Sequence, residues 1–163
     1  MKDFLDDFRQ TIAVAAEDLA RLSEAESERA PAPGKWSPKQ VIGHLIDSAS
    51  NNHGRFVRAQ LQDDLVFPGY QQEEWVRLQS YQDESWGLLV ELWRFYNLHL
   101  AHLMEHISAE DLARPRTNHT LDQIAWQTVP RSESATLEYL MRDYVAHLKN
   151  HLRQISGHGS RKV

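Results

Sequence analysis

Residues 134–156, S-A-T-L-E-Y-L-M-R-D-Y-V-A-H-L-K-N-H-L-R-Q-I-S, decide the fold of this chain. Apolar side chains recur along this stretch in steps of three or four residues or their sum, at Leu137, Met141, Tyr144, Leu148 and Ile155. That is the period of a helix that buries one stripe of its surface. The stretch therefore predicts a long amphipathic helix, which Gly157 is expected to end.

Two histidines of this helix have a spacing that suits a shared metal ion. His147 and His151 are four residues apart, so their side chains lie one turn, about 6 Å, above each other. Imidazoles in that arrangement bind one ion in other helical metal sites. The alternative is a pair of core or surface histidines without a common ligand, and the pair alone does not decide between them.

Three further stretches have the same helical period, and together with the last helix they predict a four-helix bundle. The first runs over residues 3–23, the second from Pro38 to about residue 62, and the third over residues 84–107. Two long connections, residues 63–82 and 114–133, flank the third helix. The fold class is therefore all-α, and we expect one domain over residues 1–163 with its core at about 3–156.

Composition limits the chemistry that this bundle can carry. The chain has 163 residues, 41% hydrophobic and 25% charged, with a net charge of −5 and no cysteine. The negative charge argues against non-specific nucleic-acid binding. Without cysteine, a metal must be held by histidine or carboxylate, and any thiol must come from a substrate.

The N-terminal sequence gives an expectation about location. M-K-D-F-L-D-D-F-R-Q is acidic and amphipathic, unlike a signal peptide. No apolar run approaches the length that spans a membrane. We therefore expect a cytoplasmic protein without a membrane partner.

The second predicted helix begins with a strong start signal and carries a polar stripe. Ser37 can cap it, Pro38 suits its first position, and Gln40 completes a capping box. Beside its apolar side runs a polar set: His44, Asp47, Ser48, Asn51 and Arg55. This stripe is either a solvated face or, because His44 borders apolar neighbours, the wall of a pocket.

A second histidine set lies on the third predicted helix. His99, His102 and His106 share one of its faces and form a rival metal cluster. They alternate with the apolar positions of the helix, so we expect them to face solvent or an interface rather than the core.

Three segments resemble the DinB-like superfamily of four-helix bundles. These are W-S-P-K-Q-V-I-G-H-L-I-D-S (residues 36–48), F-P-G-Y-Q-Q-E-E-W-V (67–76) and Y-V-A-H-L-K-N-H-L-R-Q-I (144–155). In that family, one histidine of the second helix and two of the fourth bind a divalent metal. The resemblance carries these ligands to His44, His147 and His151.

The resemblance also implies a chemistry. Nickel or zinc is the expected metal, with iron and manganese as further candidates. Characterised relatives include bacillithiol transferases and mycothiol-dependent maleylpyruvate isomerases, and others are named as hydrolases. The implied function is a small-molecule transferase that uses a low-molecular-weight thiol, or a hydrolase. A non-catalytic bundle in which metal only stiffens the fold is the alternative.

The remaining site residues follow from their places on the helices and loops. Asp47, one turn after His44, is the candidate catalytic residue, either as a general base or by orienting an imidazole. It can equally be a solvated carboxylate. The candidate substrate contacts are Asn51, Arg55, Tyr70 and Trp75, although Arg55 can instead form a salt bridge and Trp75 can simply seal the core. We also expect a homodimer, through the third helix with Phe95 and His99.

Overall fold

Four long helices carry the fold. The computed structural model describes residues 1–156, so the predicted stop at Gly157 lies outside the described residues. In chain order the α-helices of this part are α1 (Lys2–Leu19), α2 (Glu24–Ser27), α3 (Pro38–Arg58), α4 (Gln72–Leu78), α5 (Trp86–Glu105), α6 (Ala109–Ala113), α7 (Leu121–Ile124) and α8 (Leu137–Ser156), with a 3-10 turn at Tyr81–Asp83.

The long helices pack as a four-helix bundle, which confirms the predicted fold class. α5 packs against both α1 and α3, α3 packs against α8, and α8 closes the bundle against α1. The apolar stripe that predicted α8 is buried: Leu137, Met141, Tyr144, Leu148 and Ile155. Residues 1–156 contain no β-strand, only two isolated backbone bridges.

The helices end earlier than the periodicity predicted. α1 stops at Leu19 and α3 at Arg58, because single turns with i to i−3 hydrogen bonds follow each helix. The stretch after α1 also contains the short helix α2, where the sequence predicted a loop; Ser23 and Glu26 form its capping box. Within the described part of the chain, no helix is long and apolar enough to cross a bilayer.

The start of α3 has the predicted capping box. The Gln40 N–H donates to Ser37 Oγ at 3.3 Å, and the Ser37 N–H donates to Gln40 Oε1 at 2.9 Å. Lys39 is buried, and its ammonium binds Glu24 at 2.5 Å and Glu28 at 3.1 Å. The first turn of α3 is therefore fixed both by its own cap and by the segment around α2.

Backbone hydrogen bonds join the two long connections to each other. The Leu65 N–H donates to the Asn118 carbonyl at 3.0 Å, and the Thr120 N–H donates to the Leu65 carbonyl at 3.1 Å. The Phe67 N–H adds a bond of 2.9 Å to Thr120 Oγ1. These bonds hold the segments around Tyr70 and Trp126 near the polar face of α3.

Two glycines of α3 provide a matched test of the packing. A Cβ on Gly43 would lie 2.1 Å from Cδ2 of the buried Tyr81 ring, whereas a Cβ on Gly54 would meet nothing within 4 Å. We predict that Gly43→Ala destabilises the fold by about 1–3 kcal/mol through overpacking. Gly54→Ala should stabilise it by about 0.5–1 kcal/mol, because alanine favours a helix interior. Urea unfolding of both variants measures the two effects, and equal effects would contradict this packing.

Candidate metal centre

The site begins with a buried histidine between two helices. His44 lies in the second turn of α3 and is 1% exposed, packed between α3 and α8. Its Nε2 atom lies 3.4 Å from Nε2 of His147 on α8. The two rings meet edge to face, with centroids 5.2 Å apart. The packing of α3 on α8 thus brings together histidines separated by 103 positions.

His151 completes the cluster one turn further along α8. Its ring centroid lies 4.8 Å from that of His44 and 4.5 Å from that of His147. One nitrogen from each ring can be chosen so that all three lie within 4.8 Å of one another. His151 Nδ1 lies 3.1 Å from Gln154 Oε1, so this contact leaves Nε2 as the free ring nitrogen. The three predicted ligands therefore converge.

The geometry of the pair fits a shared metal ion. Two nitrogens that are each about 2.1 Å from a tetrahedral zinc ion lie about 3.4 Å apart, which matches the observed separation of 3.4 Å for His44 and His147. His44 Nδ1 is buried and has no hydrogen-bond partner among the described residues. The Nε2 atoms of His44 and His147 face each other across this short distance, so both are placed to bind one ion between them.

The three imidazoles are held in the neutral form that binds metal. Burial, followed by the effects of the neighbouring His147 and His151, lowers the pKa of His44 to about 3. Burial, followed by the effect of His151, lowers the pKa of His147 to about 4. Burial also lowers the pKa of His151, against the effect of its bond with Gln154. Neutral imidazole is the metal-binding form, so these histidines need not lose a proton to bind a metal ion at pH 7.

The rival cluster on α5 lacks this convergence. His99, His102 and His106 are exposed. The rings of His102 and His106 are tilted relative to each other with centroids 4.3 Å apart, but the centroids of His99 and His102 are 6.5 Å apart. Among residues 1–156, the cluster of His44, His147 and His151 is the group whose ligand atoms are close enough to hold an ion.

A cavity of about 580 Å³ opens beside two of the three histidines. His44 and His147 both line it, and α3, α8 and the two joined connections form its walls. From α3 the cavity also receives Ser48, Asn52 and Arg55. Its size is typical of sites that bind small molecules. Three members of the polar stripe of α3, His44, Ser48 and Arg55, therefore belong to a pocket wall rather than to a solvated face.

Asp47 does not line this cavity. Its Oδ1 accepts hydrogen bonds from Gln79 at 2.5 Å and from the Tyr81 hydroxyl at 2.7 Å, while Oδ2 is buried without a partner. Burial raises the pKa of Asp47, and the two hydrogen bonds act in the opposite direction. Asp47 is thus neither a cavity-lining residue nor a solvated carboxylate: it ties α4 and the 3-10 turn to α3.

The asparagine that lines the cavity is Asn52, not the predicted Asn51. Asn51 donates to the Asp47 carbonyl of its own helix at 2.9 Å and does not line the cavity. Asn52 does line it, and its amide donates to the Ser48 carbonyl at 2.9 Å. One position rotates a side chain by about 100° around a helix, which is enough to exchange the two roles.

The two predicted aromatic residues of the first connection, Tyr70 and Trp75, have different positions relative to the cavity. Tyr70 lines the cavity, and burial, with Asp47 as a further cause, raises the pKa of its hydroxyl to about 12. Trp75 does not line the cavity but packs on Tyr70, with ring centroids 5.1 Å apart. Tyr70 is thus a cavity residue and Trp75 supports it.

Asp143 and Trp126 are further cavity residues that were not predicted from the sequence. Asp143, one turn before His147 on α8, accepts hydrogen bonds from the N–H groups of Trp126 at 2.8 Å and Gln127 at 2.7 Å. This bond pair places Trp126 on the cavity wall, with its ring centroid 6.3 Å from that of His147. The spacing of Asp143 and His147 was a usable signal for Asp143. No sequence signal marks Trp126, because its place depends on the path of a long loop.

The fold and the site together define a helical bundle with a three-histidine cluster at a cavity. The family model of the DinB superfamily matches residues 7–155. The chain belongs to the DinB superfamily, which confirms the resemblance found in the sequence. Because 149 of 163 residues are matched, the assignment covers both helices that carry the cluster.

Three curated relatives bear the name "Putative metal-dependent hydrolase". That of Bacillus mycoides is 27% identical over 81 residues, 47% of each chain. That of Halalkalibacterium halodurans is 28% identical over 95 residues, 57% of this chain and 54% of the relative. That of Bacillus licheniformis is 22% identical over 161 residues, 99% of this chain and 86% of the relative. The matches thus span about half the length of the first two relatives and most of the third.

One solved structure shares the architecture. YfiT from Bacillus subtilis, described as "a probable metal-dependent hydrolase with an unusual four-helix bundle topology", superposes with a TM-score of 0.76 at 19% identity. The match covers 99% of this chain and 89% of YfiT. At this identity the likeness supports the fold alone.

The buried histidines predict a specific pH dependence in metal-stripped protein. His44 stays neutral in the folded state down to a pKa of about 3, whereas an imidazole in the unfolded chain protonates below about pH 6.5. The unfolded chain therefore binds more protons in this window, and the free energy of unfolding rises with pH there. His44→Asn should reduce that slope by up to about 1.4 kcal/mol per pH unit between pH 5 and 6.

Urea unfolding in chelator at several pH values measures this slope. His102→Asn is the control, since His102 is exposed, and it should leave the slope unchanged. An unchanged slope in His44→Asn would show that the imidazole is not held neutral by burial.

Proposed function

We propose that this chain is a metal-dependent hydrolase of small molecules, with a divalent ion held by His44, His147 and His151. One observation carries the proposal: His44 and His147 belong at once to the three-histidine cluster and to the lining of a cavity of about 580 Å³. An ion at that position is accessible to a substrate. A purely structural ion would be enclosed by a fourth protein ligand instead.

The donor set supports zinc or nickel. Three neutral imidazoles without thiolate suit either ion, and iron and manganese sites more often include carboxylates. Among residues 1–156, no acidic side chain joins the cluster of ligand atoms. When bound, a divalent ion supplies positive charge that lowers the pKa of a water or thiol at its open position.

The chain's own residues then bind and orient the substrate. Tyr70 keeps its proton at neutral pH, since its pKa is raised to about 12, and so acts as a hydrogen-bond donor in the cavity. Trp126 is 44% exposed and forms an apolar edge near His147. Asp47 acts as a positioning residue: through Gln79 and Tyr81 it fixes the segment behind His44.

Thiol transfer to a small electrophile is the second candidate. It is favoured by the access from the cavity to the proposed ion and by the absence of cysteine, so that any reacting thiol must come from a low-molecular-weight cosubstrate. The names of the relatives favour hydrolysis. The two candidates separate in an assay of aryl ester cleavage by metal-loaded protein with and without added thiol: a hydrolase does not require the thiol.

Metal removal tests the proposed ligands. Elemental analysis by inductively coupled plasma mass spectrometry should find about one divalent ion per chain in the purified protein. Chelator at pH 7.5 should lower the melting temperature by about 5–10 °C, since an ion at 100 times its Kd adds about 2.7 kcal/mol and each kcal/mol shifts Tm by 2–4 °C in a chain of this size. His151→Ala should remove most of this effect, because α8 would then offer a single ligand.

His102→Ala is the matched control for the metal experiment. It removes a histidine of an exposed face and should leave ion content and the chelator effect intact. If His102→Ala abolishes the chelator effect while His151→Ala preserves it, the ion is bound by the cluster on α5 and the proposed site is wrong.

We further propose that two copies associate through α5. Leu88, Leu92 and Phe95 follow one another in steps of four and three residues, and they are 55%, 46% and 58% exposed. Glu91 and Arg94 form an ion pair beside this stripe. A two-fold interface pairs the same patch with itself, so an apolar stripe flanked by both charges is self-complementary.

A charge in the stripe should therefore dissociate the dimer. We expect Leu92→Glu and Phe95→Glu to sediment as monomers at micromolar concentrations at which the unmodified protein is a dimer. Leu61→Glu is the control, since Leu61 is 82% exposed but lies outside α5. A monomer for the unmodified protein under these conditions would refute the proposed interface.

A further inference from the structure

A buried arginine lies in the same cavity as the histidine cluster. Arg55 is 6% exposed and lines the cavity together with His44, eleven residues earlier on α3. Eleven residues are close to three helical turns, so the two side chains leave the same face of α3 with Cα atoms about 16 Å apart. The cavity thus has a metal-binding end and a cationic end.

The guanidinium of Arg55 is held in place but not neutralised. Its Nη1 donates to Asn52 Oδ1 at 3.3 Å and its Nη2 to the Pro68 carbonyl at 3.1 Å. Among residues 1–156, no carboxylate forms a salt bridge with it. Burial lowers its pKa, although arginine keeps its charge in proteins. A guanidinium has five N–H donors, so several remain for a ligand.

The acidic groups of the cavity do not compensate this charge. Asp143 is occupied by the N–H groups of Trp126 and Gln127. Glu74 pairs with Arg77, and Glu73 is exposed. A buried charge normally requires a partner. The neutral oxygens around Arg55 supply only part of the electrostatic stabilisation that a carboxylate would give to the guanidinium.

Tyr70 offers a second donor at the same end. Tyr70 lines the cavity, and burial and then the charge of Asp47 raise the pKa of its hydroxyl, against the effects of Arg55 and of a hydrogen bond with Ser48. The hydroxyl therefore keeps its proton at neutral pH. A guanidinium and a phenol that face one space are a donor set for an anionic oxygen group.

We propose that Arg55, assisted by the Tyr70 hydroxyl, binds a carboxylate or phosphate group of the substrate while its reacting bond lies at the three-histidine end. This inference rests on the proposed metal-dependent function and specifies its substrate class: small molecules with an anionic group several bonds from the bond that reacts. The anion neutralises the buried guanidinium, and the two ends of the cavity fix the orientation of the substrate.

Alkyl hydroxamates of increasing chain length, with a terminal carboxylate, phosphonate or carboxamide, test both ends of the cavity. The hydroxamate binds the divalent ion, and the terminal group probes Arg55. In zinc-loaded protein, calorimetry should show at one chain length that the carboxylate or the phosphonate binds at least about tenfold more tightly than the carboxamide, as expected for a charge-assisted bond. The anion that shows the preference identifies the natural group.

Variants separate a binding role of Arg55 from a structural one. Arg55→Gln should remove the preference for the anion, Arg55→Lys should keep part of it, and Tyr70→Phe should reduce it. Arg116→Gln is the matched control: Arg116 is also buried and bonded to backbone carbonyls, including that of Ala59, but it does not line the cavity. Its variant should keep the full preference even if it lowers stability.

Two outcomes overturn the inference: equal affinity for all three terminal groups at every chain length, or a preference that survives in Arg55→Gln. Failure of the metal-dependent function gives a different result, because acetohydroxamate then does not bind zinc-treated protein at all. In that case, anion binding by Arg55 is tested separately, on metal-stripped protein. Glutarate should raise its melting temperature more than glutaramide in the unmodified protein but not in Arg55→Gln, and no difference in the unmodified protein refutes the anion site.

Discussion

The site depends on one constraint: α3 buries its polar face as well as its apolar face. His44, Asp47, Ser48, Asn52 and Arg55 are all less than a tenth exposed. Buried polar groups need partners, and here the partners come from four different segments. α8 provides histidines, the 3-10 turn a tyrosine, the first connection a carbonyl, and α3 itself an amide. The cavity exists because these partners surround the face without filling it.

The fold and the histidine cluster were predictable because they follow from helical periodicity. The apolar stripe of α8, the capping box at Ser37 and the spacing of His147 and His151 are local patterns with a fixed geometric meaning. Predicting the third histidine, His44, required a second argument. Its imidazole lies beside apolar neighbours on another helix, and a bundle places such a side chain inward. The resemblance to a family then connected His44 to the pair on α8, and the packing of the two helices brings all three rings together.

The rest of the cavity was less predictable because it depends on rotation and on loop path. Asn51 was expected where Asn52 lies, and one residue changes the direction of a helical side chain by about 100°. Asp47 was expected at the site but binds Tyr81 and Gln79, which come from a connection whose course periodicity does not determine. Trp126 reaches the cavity only because Asp143 holds the second connection by two backbone N–H groups.

The bundle separates the packing that stabilises it from the groups that make the site. α5 packs against α1 and α3 and has large buried side chains, Trp86 and Trp93 among them, whereas α3 and α8 form the cluster. That apolar packing offsets the cost of desolvating three imidazoles and a guanidinium. Desolvation in turn keeps His44 and His147 neutral, with pKa values of about 3 and 4. In our proposal, desolvation also strengthens the attraction of Arg55 for an anion, so the same burial that weakens the fold locally would prepare one end of the cavity for a cation and the other for an anion.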